Sequence, residues 1–394
     1  MTYSQRGSLR DLAAFGKHLK ERNRVFRHAP ATPLPRGTMN VLANRLHPPS
    51  QRLRISAVRD EYPGTYSYRL EPADAGGRIA PFRAGQYIAL ETPVGENRVS
   101  RPYSITSSPD EARRENAYTI TVKRMDGGYV SVDGIARWTV GTELLASEPE
   151  GFFYYEPLRD SEHLLCLAGG TGITPFRSII SDTLEHHPDT RIHLFYGVNS
   201  REELLFDGHF TKRAAAYPGR FFYRVVDDGF ISAPLIADIV DGASVFICGP
   251  QAMHDHLTAE LAQFALPRRR IRRENFGSPV AAGETKDTVF TIAVTRTPHG
   301  EPEKRIPASS SETVLVALER AGLNPPARCR SGECGWCRMK LYSGSVRIAE
   351  GNDGLRQGDR KFSYIHTCSS FPTSDLEIGY IPNPLKESSH EVGS

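Results

Sequence analysis

The sequence predicts a multidomain chain in three fold classes: an antiparallel β-barrel, a parallel α/β sheet and a small α+β domain. A basic extension precedes them. Three observations carry this. Between residues 51 and 155, apolar and polar residues alternate in short runs separated by turn residues, which is the period-2 pattern of half-buried strands. From residue 156, continuous apolar runs such as Leu164-Leu165-Cys166-Leu167-Ala168 trade places with helix-periodic stretches, as a buried parallel sheet with crossover helices requires. Later, Cys329, Cys334 and Cys337 stand at C-x4-C-x2-C spacing, and Cys368 follows after a further thirty residues.

At 394 residues the chain is long enough for two to four domains, each with its own core. A net charge of +3 is too small to argue for nucleic acid. The longest apolar runs are strand-sized, so no transmembrane segment is expected, and the N-terminus lacks a secretory apolar region. Four of the six cysteines belong to the one motif, and Cys166 and Cys248 lie in separate apolar runs. That is a reducing-compartment pattern, and the expected location is cytoplasmic.

Residues 1–50 form the extension. Nine Lys or Arg face only Asp11 and Glu21. Leu9, Leu12, Phe15 and Leu19 recur at near-helical spacing, so an amphipathic helix is expected up to about Asn23. Pro30, Pro33, Pro35, Gly37, Pro48 and Pro49 argue against regular helix in the remainder. The extension reads as a strap on the neighbouring domain, with docking to an acidic protein or a membrane surface as alternatives.

Residues 51–155 read as the barrel. Leu53, Ile55 and Ala57 alternate with polar neighbours, as do Tyr66, Tyr68 and Leu70, and Tyr118, Ile120 and Val122. Within it lies Arg101-Pro102-Tyr103-Ser104. The tetrapeptide alone is a weak motif, but its chemistry suits a flavin. An arginine clamps phosphate, an aromatic packs on the ring system, and a hydroxyl bonds a ring nitrogen.

Residues 156–278 read as the α/β domain. The apolar run at 164–168 leads directly into Gly169-Gly170-Thr171-Gly172-Ile173-Thr174-Pro175 and a helix through Phe176, Ile179, Ile180 and Leu184. Strand, glycine loop and helix place a diphosphate on a helix N-terminus. Further strands are expected at Ile192 to Tyr196, Phe221 to Val226 and Val245 to Cys248, the last ending in Cys248-Gly249-Pro250. Ser200 and Arg201 could hold a nucleotide 2′-phosphate, whereas Glu202 or Glu203 could bond ribose hydroxyls. Arg268, Arg269, Arg270, Arg272 and Arg273 make the densest positive run. They read either as a solvated edge or as a docking patch for an acidic electron acceptor.

Residues 279–288 read as a linker and 289–384 as the α+β domain. A hairpin joins Val289 to Thr295 with Lys304 to Ile306. A helix is expected from a capping box with Ser309 as N-cap and Glu312 as its partner, ending at Gly322. The cysteine loop and a last strand at Asp375 to Ile378 complete it, and 385–394 is a polar tail. Four thiols at this spacing are the plant-type arrangement for one 2Fe–2S cluster. Gly332 and Gly335 let the backbone wrap it. Zinc sites usually show two C-x2-C pairs, and here there is one. His366, near Cys368, reads as structural.

These motifs together resemble the ferredoxin–NADP reductase superfamily over residues 51 to 384, in the form with a C-terminal plant-type 2Fe–2S ferredoxin domain of β-grasp fold. Pro81 to Tyr87 looks like that family's lead-in to the flavin motif. The resemblance implies that Arg101 meets the flavin phosphate, with Pro102 and Tyr103 along the flavin and Ser104 at its N5. It implies that Gly127 to Ser131, with Gly128, Val130 and Ser131 as contacts, form a second phosphate loop. That favours FAD, with FMN as the alternative. Gly170, Thr171, Gly172, Ile173 and Thr174 would bind the nicotinamide diphosphate. Cys248, Gly249 and Pro250 would sit beside the nicotinamide ring. Glu274 and Phe276 match the family's E-x-F ending, which approaches the flavin. Ser104, Cys248 and Phe276 are thus the candidate catalytic residues, and Cys329, Cys334, Cys337 and Cys368 the metal ligands.

A nicotinamide gives up two electrons at once, a 2Fe–2S centre accepts one, and a flavin handles both. The expected path is NADH or NADPH to flavin to cluster to an external acceptor protein. The leading expectation is the reductase component of a multicomponent oxygenase or demethylase. A reductase for a separate flavodoxin or ferredoxin, and a non-enzymatic redox carrier or sensor, are the alternatives.

Overall fold

In the computed structural model, the described residues are 9–28, 37–95, 97–125, 130, 134–275, 288–296, 303–349 and 353–380. The chain divides into two units, Met1–Leu46 and His47–Ser394.

The first unit holds two helices, α1 (Leu9–Arg27) and α2 (Thr38–Leu46). The first extends four residues past the expected end at Asn23. The second corrects the expectation of irregular chain. It occupies the proline-free stretch between Pro35 and Pro48, where no missing N–H interrupts the ladder.

The second unit begins with six antiparallel strands: β1 (Gln51–Tyr62), β2 (Thr65–Pro72), β3 (Tyr87–Val94), β4 (Asn97–Ser104), β5 (Tyr118–Lys123) and β6 (Glu143–Ala146). Their order is β4-β3-β6-β1-β2-β5. A bridge between Ile105, just past β4, and Ile120 of β5 joins the two edges and curls the sheet. Leu53, Ile55, Tyr68, Leu70, Ile88 and Ile120 fill the interior. The segment is not all strand, because α3 (Pro109–Glu115) starts on a capping box between Ser108 and Glu111. The S-x-x-E pattern at 108–111 was the sequence signal for it.

Five parallel strands follow: β7 (His163–Gly169), β8 (Arg191–Gly197), β9 (Phe221–Val226), β10 (Ser244–Gly249) and β11 (Ile271–Asn275). They lie in the order β11-β10-β7-β8-β9. The helices α4 (Thr174–His186), α5 (Asp207–Ala216), α6 (Ala233–Val240) and α7 (Gln251–Ala262) cover them. Cys166 is fully buried in this core. Ser178 Oγ donates to the Ser107 carbonyl at 2.8 Å, and Arg177 bonds Glu111 at 2.9 Å. These contacts fasten α4 to the barrel.

The last sheet has the order β13-β12-β18-β14-β16, from β12 (Val289–Arg296), β13 (Lys304–Ser309), β14 (Arg338–Ser343), β16 (Tyr364–His366) and β18 (Leu376–Gly379). A small ribbon pairs β15 (Val346–Ile348) with β17 (Ser370–Pro372). The helices here are α8 (Val314–Arg320) and α9 (Gln357–Lys361). Ser309 is not the N-cap of α8. Glu312 does reach back to the Ser309 N–H at 2.9 Å, but this closes a turn at the end of β13. Thr313 caps the helix by accepting from Val316 N. The hairpin turn at 298–300 lies outside the described residues, as do 276–287 and 381–394.

Candidate functional site

The parallel sheet brings its glycine motifs together because β7 and β10 are neighbours, with Ala168 opposite Cys248. Their carboxyl ends leave no room for side chains. A Cβ on Gly172 would lie 2.2 Å from the Cys248 carbonyl oxygen, and one on Gly169 would meet Met253 Sδ at 2.3 Å. Gly170 differs. It has φ +52°, and a Cβ there would meet nothing within 4 Å. An open, left-handed glycine beside the first turns of α4 is a cradle that suits a diphosphate. Thr171 to Thr174 complete the loop, with Thr174 Oγ1 donating to the Thr171 carbonyl at 2.9 Å.

Register then joins this end of the sheet to the barrel. Cys248 pairs with Glu274 across β10 and β11. Ser104, at the end of β4, donates through Oγ to Glu274 Oε2 at 3.3 Å. All three are buried. Burial raises the Cys248 thiol well above its ordinary pKa, so it packs as a neutral group. Burial also raises Glu274, with the nearby charge of Glu333 adding to it. Tyr103, next to Ser104, is half-buried with its ring edge-on to Trp138 at 5.7 Å. Arg101 donates to the Ser100 carbonyl at 2.9 Å and lies 3.8 Å from Glu319.

The cysteine loop supplies the third part. Cys329, Cys337 and Cys368 are buried, Cys334 is partly exposed, and all are free thiols. Cys337 and Cys368 have their sulfurs 3.3 Å apart, and Cys334 N donates to Cys329 Sγ at 3.3 Å. Sulfur–sulfur contact at that distance is not a disulfide. Neighbouring thiols favour the thiolate at Cys329 and Cys337. Arg330, Gly332 and Gly335 all have positive φ, which turns the loop around the sulfurs. Three thiols in a left-handed loop, with Cys368 converging on them from the β16–β17 connection, fit a 2Fe–2S cluster. His366 holds the loop in shape, with Nδ1 donating to the Gly332 carbonyl at 2.6 Å.

Several residues that sequence reading missed connect these parts. Tyr87 pairs with Ser104 across β3 and β4. Burial raises its hydroxyl pKa, and the charges of Cys329, Cys334, Glu274 and Glu333 raise it further. Arg328 lies over the Trp336 ring at 3.7 Å and pairs with Glu150, while Trp336 Nε1 donates to Glu150 at 3.2 Å. Arg330, in the cysteine loop, is fully buried and bonds both oxygens of Glu319, at 2.6 and 3.0 Å. Neither the charge pattern nor the spacing marks these pairs, one of which joins a helix to the cysteine loop and the other the loop to Glu150, far away in sequence.

Of the other expected site residues, Val130 is buried in the barrel core. Gly128, Ser131 and Phe276 lie outside the described residues. Arg268, Arg269 and Arg273 are exposed, while Arg272 bonds the buried Asp160 at 2.8 Å. A cavity of about 460 Å³ lies elsewhere, between the barrel and α4, lined by Arg83, Asp110, Asp182 and His186 among others.

Comparison with known proteins supplies the wider frame. Residues 166–258 match the oxidoreductase NAD-binding domain, and residues 297–373 match the 2Fe-2S iron-sulfur cluster binding domain. The chain is 31% identical over 316 residues to the ferredoxin reductase component of 3-ketosteroid-9-alpha-monooxygenase from Mycobacterium tuberculosis (strain H37Rv), covering 77% of this chain and 86% of that one. It is 28% identical over 339 residues to the NADH oxidoreductase HCR from Escherichia coli (strain K12), covering 83% and 97%. Among solved structures, phthalate dioxygenase reductase superposes with a TM-score of 0.62 at 25% identity, covering 84% of this chain and 97% of its own.

Proposed function

The chain belongs to the ferredoxin–NADP reductase superfamily, in the form that carries a C-terminal plant-type 2Fe–2S domain, and from that premise we propose that it is the reductase component of a multicomponent oxygenase or demethylase. When bound, nicotinamide supplies a hydride, flavin takes two electrons and releases them singly, and the cluster passes single electrons to the acceptor. The chain itself positions and insulates these groups. The observation that carries the reading is the convergence of Ser104 from the barrel with Cys248 and Glu274 from the parallel sheet, through the Ser104–Glu274 hydrogen bond and the Cys248–Glu274 pairing.

In this reading Gly170 to Thr174 hold the nicotinamide diphosphate, and Gly249 and Pro250 shape the ring pocket. Cys248 lines it as a neutral thiol that places no charge beside the ring. Arg101 to Ser104 hold the flavin, with Glu274 and Phe276 against it, and Gly128, Val130 and Ser131 add the second phosphate contact that favours FAD over FMN. Cys329, Cys334, Cys337 and Cys368 ligate the cluster. The six free thiols suit a reducing, cytoplasmic setting, and no helix among the described residues is long and apolar enough to cross a membrane.

The nucleotide is proposed to be NADH. Arg201, the candidate 2′-phosphate ligand, is engaged with Asp227 at 2.5 and 3.3 Å, and Ser200 Oγ accepts from Glu202 N. Anaerobic titration with NADH should bleach the flavin and develop a rhombic 2Fe–2S signal by low-temperature EPR, and NADPH should do so poorly. Asp227→Ala frees Arg201 and should raise kcat/KM for NADPH by about tenfold, the scale of one charge-assisted contact. Equal reduction by both nucleotides would remove the NADH assignment. Flavin bleaching with no cluster signal would reduce the protein to a flavin reductase.

The acceptor is proposed to be guided by the arginine run. With Arg272 held by Asp160, this role falls on Arg268, Arg269, Arg270 and Arg273. Arg268, Arg269 and Arg270 lead into β11, and Arg273 lies within it, one residue before Glu274. The patch therefore steers the approach of an acidic partner. Replacing Arg268, Arg269 and Arg270 by Ser should lower acceptor turnover several-fold at low salt and leave dye reduction unchanged. An unaltered salt dependence would show the run to be a solvated edge.

A further inference from the structure

The extension carries none of the redox motifs, yet it concentrates charge and exposed apolar surface. Its nine Lys or Arg against Asp11 and Glu21 leave it seven positive charges in excess, so the remaining residues carry four more acidic than basic side chains. After Glu21 no acidic residue occurs until Asp60. In α1, Lys17, Lys20, Arg24 and Arg27 recur at three- and four-residue spacing and form one exposed basic ridge. Phe15, Leu19 and Phe26 recur on another side of the same helix, and Phe15 and Phe26 are 61% and 70% exposed. In α2, Met39, Val41 and Leu42 are exposed beside Arg45.

We propose that α1 and α2 are a peripheral membrane anchor that lies on anionic lipid, with the Phe15 and Phe26 rings at the acyl boundary and the basic ridge on headgroup phosphates. The pairing of chemistries points to this occupant. A basic polar face with Phe and Leu opposite is the make-up of helices that lie in the membrane interface. Phosphate headgroups complement a segment of this charge, whereas the remainder of the chain is net acidic. Arg22 interrupts the apolar side, with its guanidinium 5.9 Å over the Phe26 ring. A protein groove that takes a helix by apolar anchors would have to bury that charge. At an interface the cation rises to the phosphates while the ring sinks below them. The anchor lies on the bilayer and does not span it, since α1 is not apolar enough to cross.

The test is co-sedimentation of the full-length holoprotein with vesicles of phosphatidylcholine alone and of phosphatidylcholine with one part in three phosphatidylglycerol. Binding is expected to the anionic vesicles only, and high salt should weaken it. The pair Phe15→Glu with Phe26→Glu should lower partitioning by at least about tenfold. The triple Lys17→Glu, Lys20→Glu, Arg24→Glu should do the same. All variants should keep wild-type NADH–ferricyanide activity, which shows that the rest of the chain is folded. Absence of binding to anionic vesicles at low salt overturns the proposal. So does binding that the Phe substitutions leave undiminished. If the protein ignores vesicles but is retained on polyglutamate beads through the same basic residues, the partner is an acidic protein and the membrane proposal fails.

Discussion

Replacing Cys334 by Ser should leave NADH-to-ferricyanide activity near the wild-type level and take reduction of cytochrome c or the acceptor protein below about one part in a hundred. Changes to groups that merely support a metal ligand cost roughly 10–100-fold, and loss of a thiolate ligand exceeds that. Cys334 is the one cluster cysteine that is not fully buried, so the substitution leaves no cavity in the core. The barrel and the parallel sheet have cores of their own, built from residues such as Ile88 and Ile120 in one and Leu164 and Phe246 in the other. Hydride acceptance therefore survives while onward transfer does not. The measurement is the ratio of the two activities on one preparation. Equal loss of both would mean that the four thiols hold the fold and carry no electrons.

Much of this site was legible because its signals are local. A C-x4-C-x2-C loop and a glycine loop between an apolar strand and a helix each declare themselves within ten residues, whereas the R-x-Y-S strand is weak alone and gains meaning beside them. Strand periodicity located β7 to β10 to within a residue or so for the same reason. What periodicity could not give was register across the sheet. Only the pairing of Cys248 with Glu274, and of Tyr87 with Ser104, shows which side chains face each other. The Arg330–Glu319 and Arg328–Glu150 pairs were invisible for a related reason. Arg330 stands inside the cysteine motif, and its partner lies on a different element. The misplaced cap of α8 has a simpler origin. Ser309 and Thr313 both head plausible capping sequences, and strand β13 keeps Ser309 extended, leaving the cap to Thr313.

Glu319→Ala is the substitution expected to cost the most stability. The Arg330 side chain is 1% exposed and that of Glu319 is 5% exposed. Their bidentate contact lies inside the loop that carries Cys329. Truncating the carboxylate leaves a buried guanidinium without its partner, which costs about 3–5 kcal/mol. For a domain of this size each kcal/mol moves the midpoint by about 4–8 °C, so the loss of cluster absorbance on heating should shift down by more than about 10 °C. Adding Arg330→Met to Glu319→Ala removes the stranded charge and should recover a large part of that shift. A single variant that melts with the wild type would show that the pair contributes nothing. The same carboxylate lies 3.8 Å from Arg101, the arginine proposed for the flavin phosphate, so flavin content adds a second readout. Glu319→Ala takes a negative charge away from beside that phosphate. If Arg101 is held by the barrel alone, the variant should retain flavin while it loses the cluster. Loss of both together would show that Glu319 positions Arg101 as well as Arg330, and that one buried carboxylate ties the flavin phosphate site to the cluster loop.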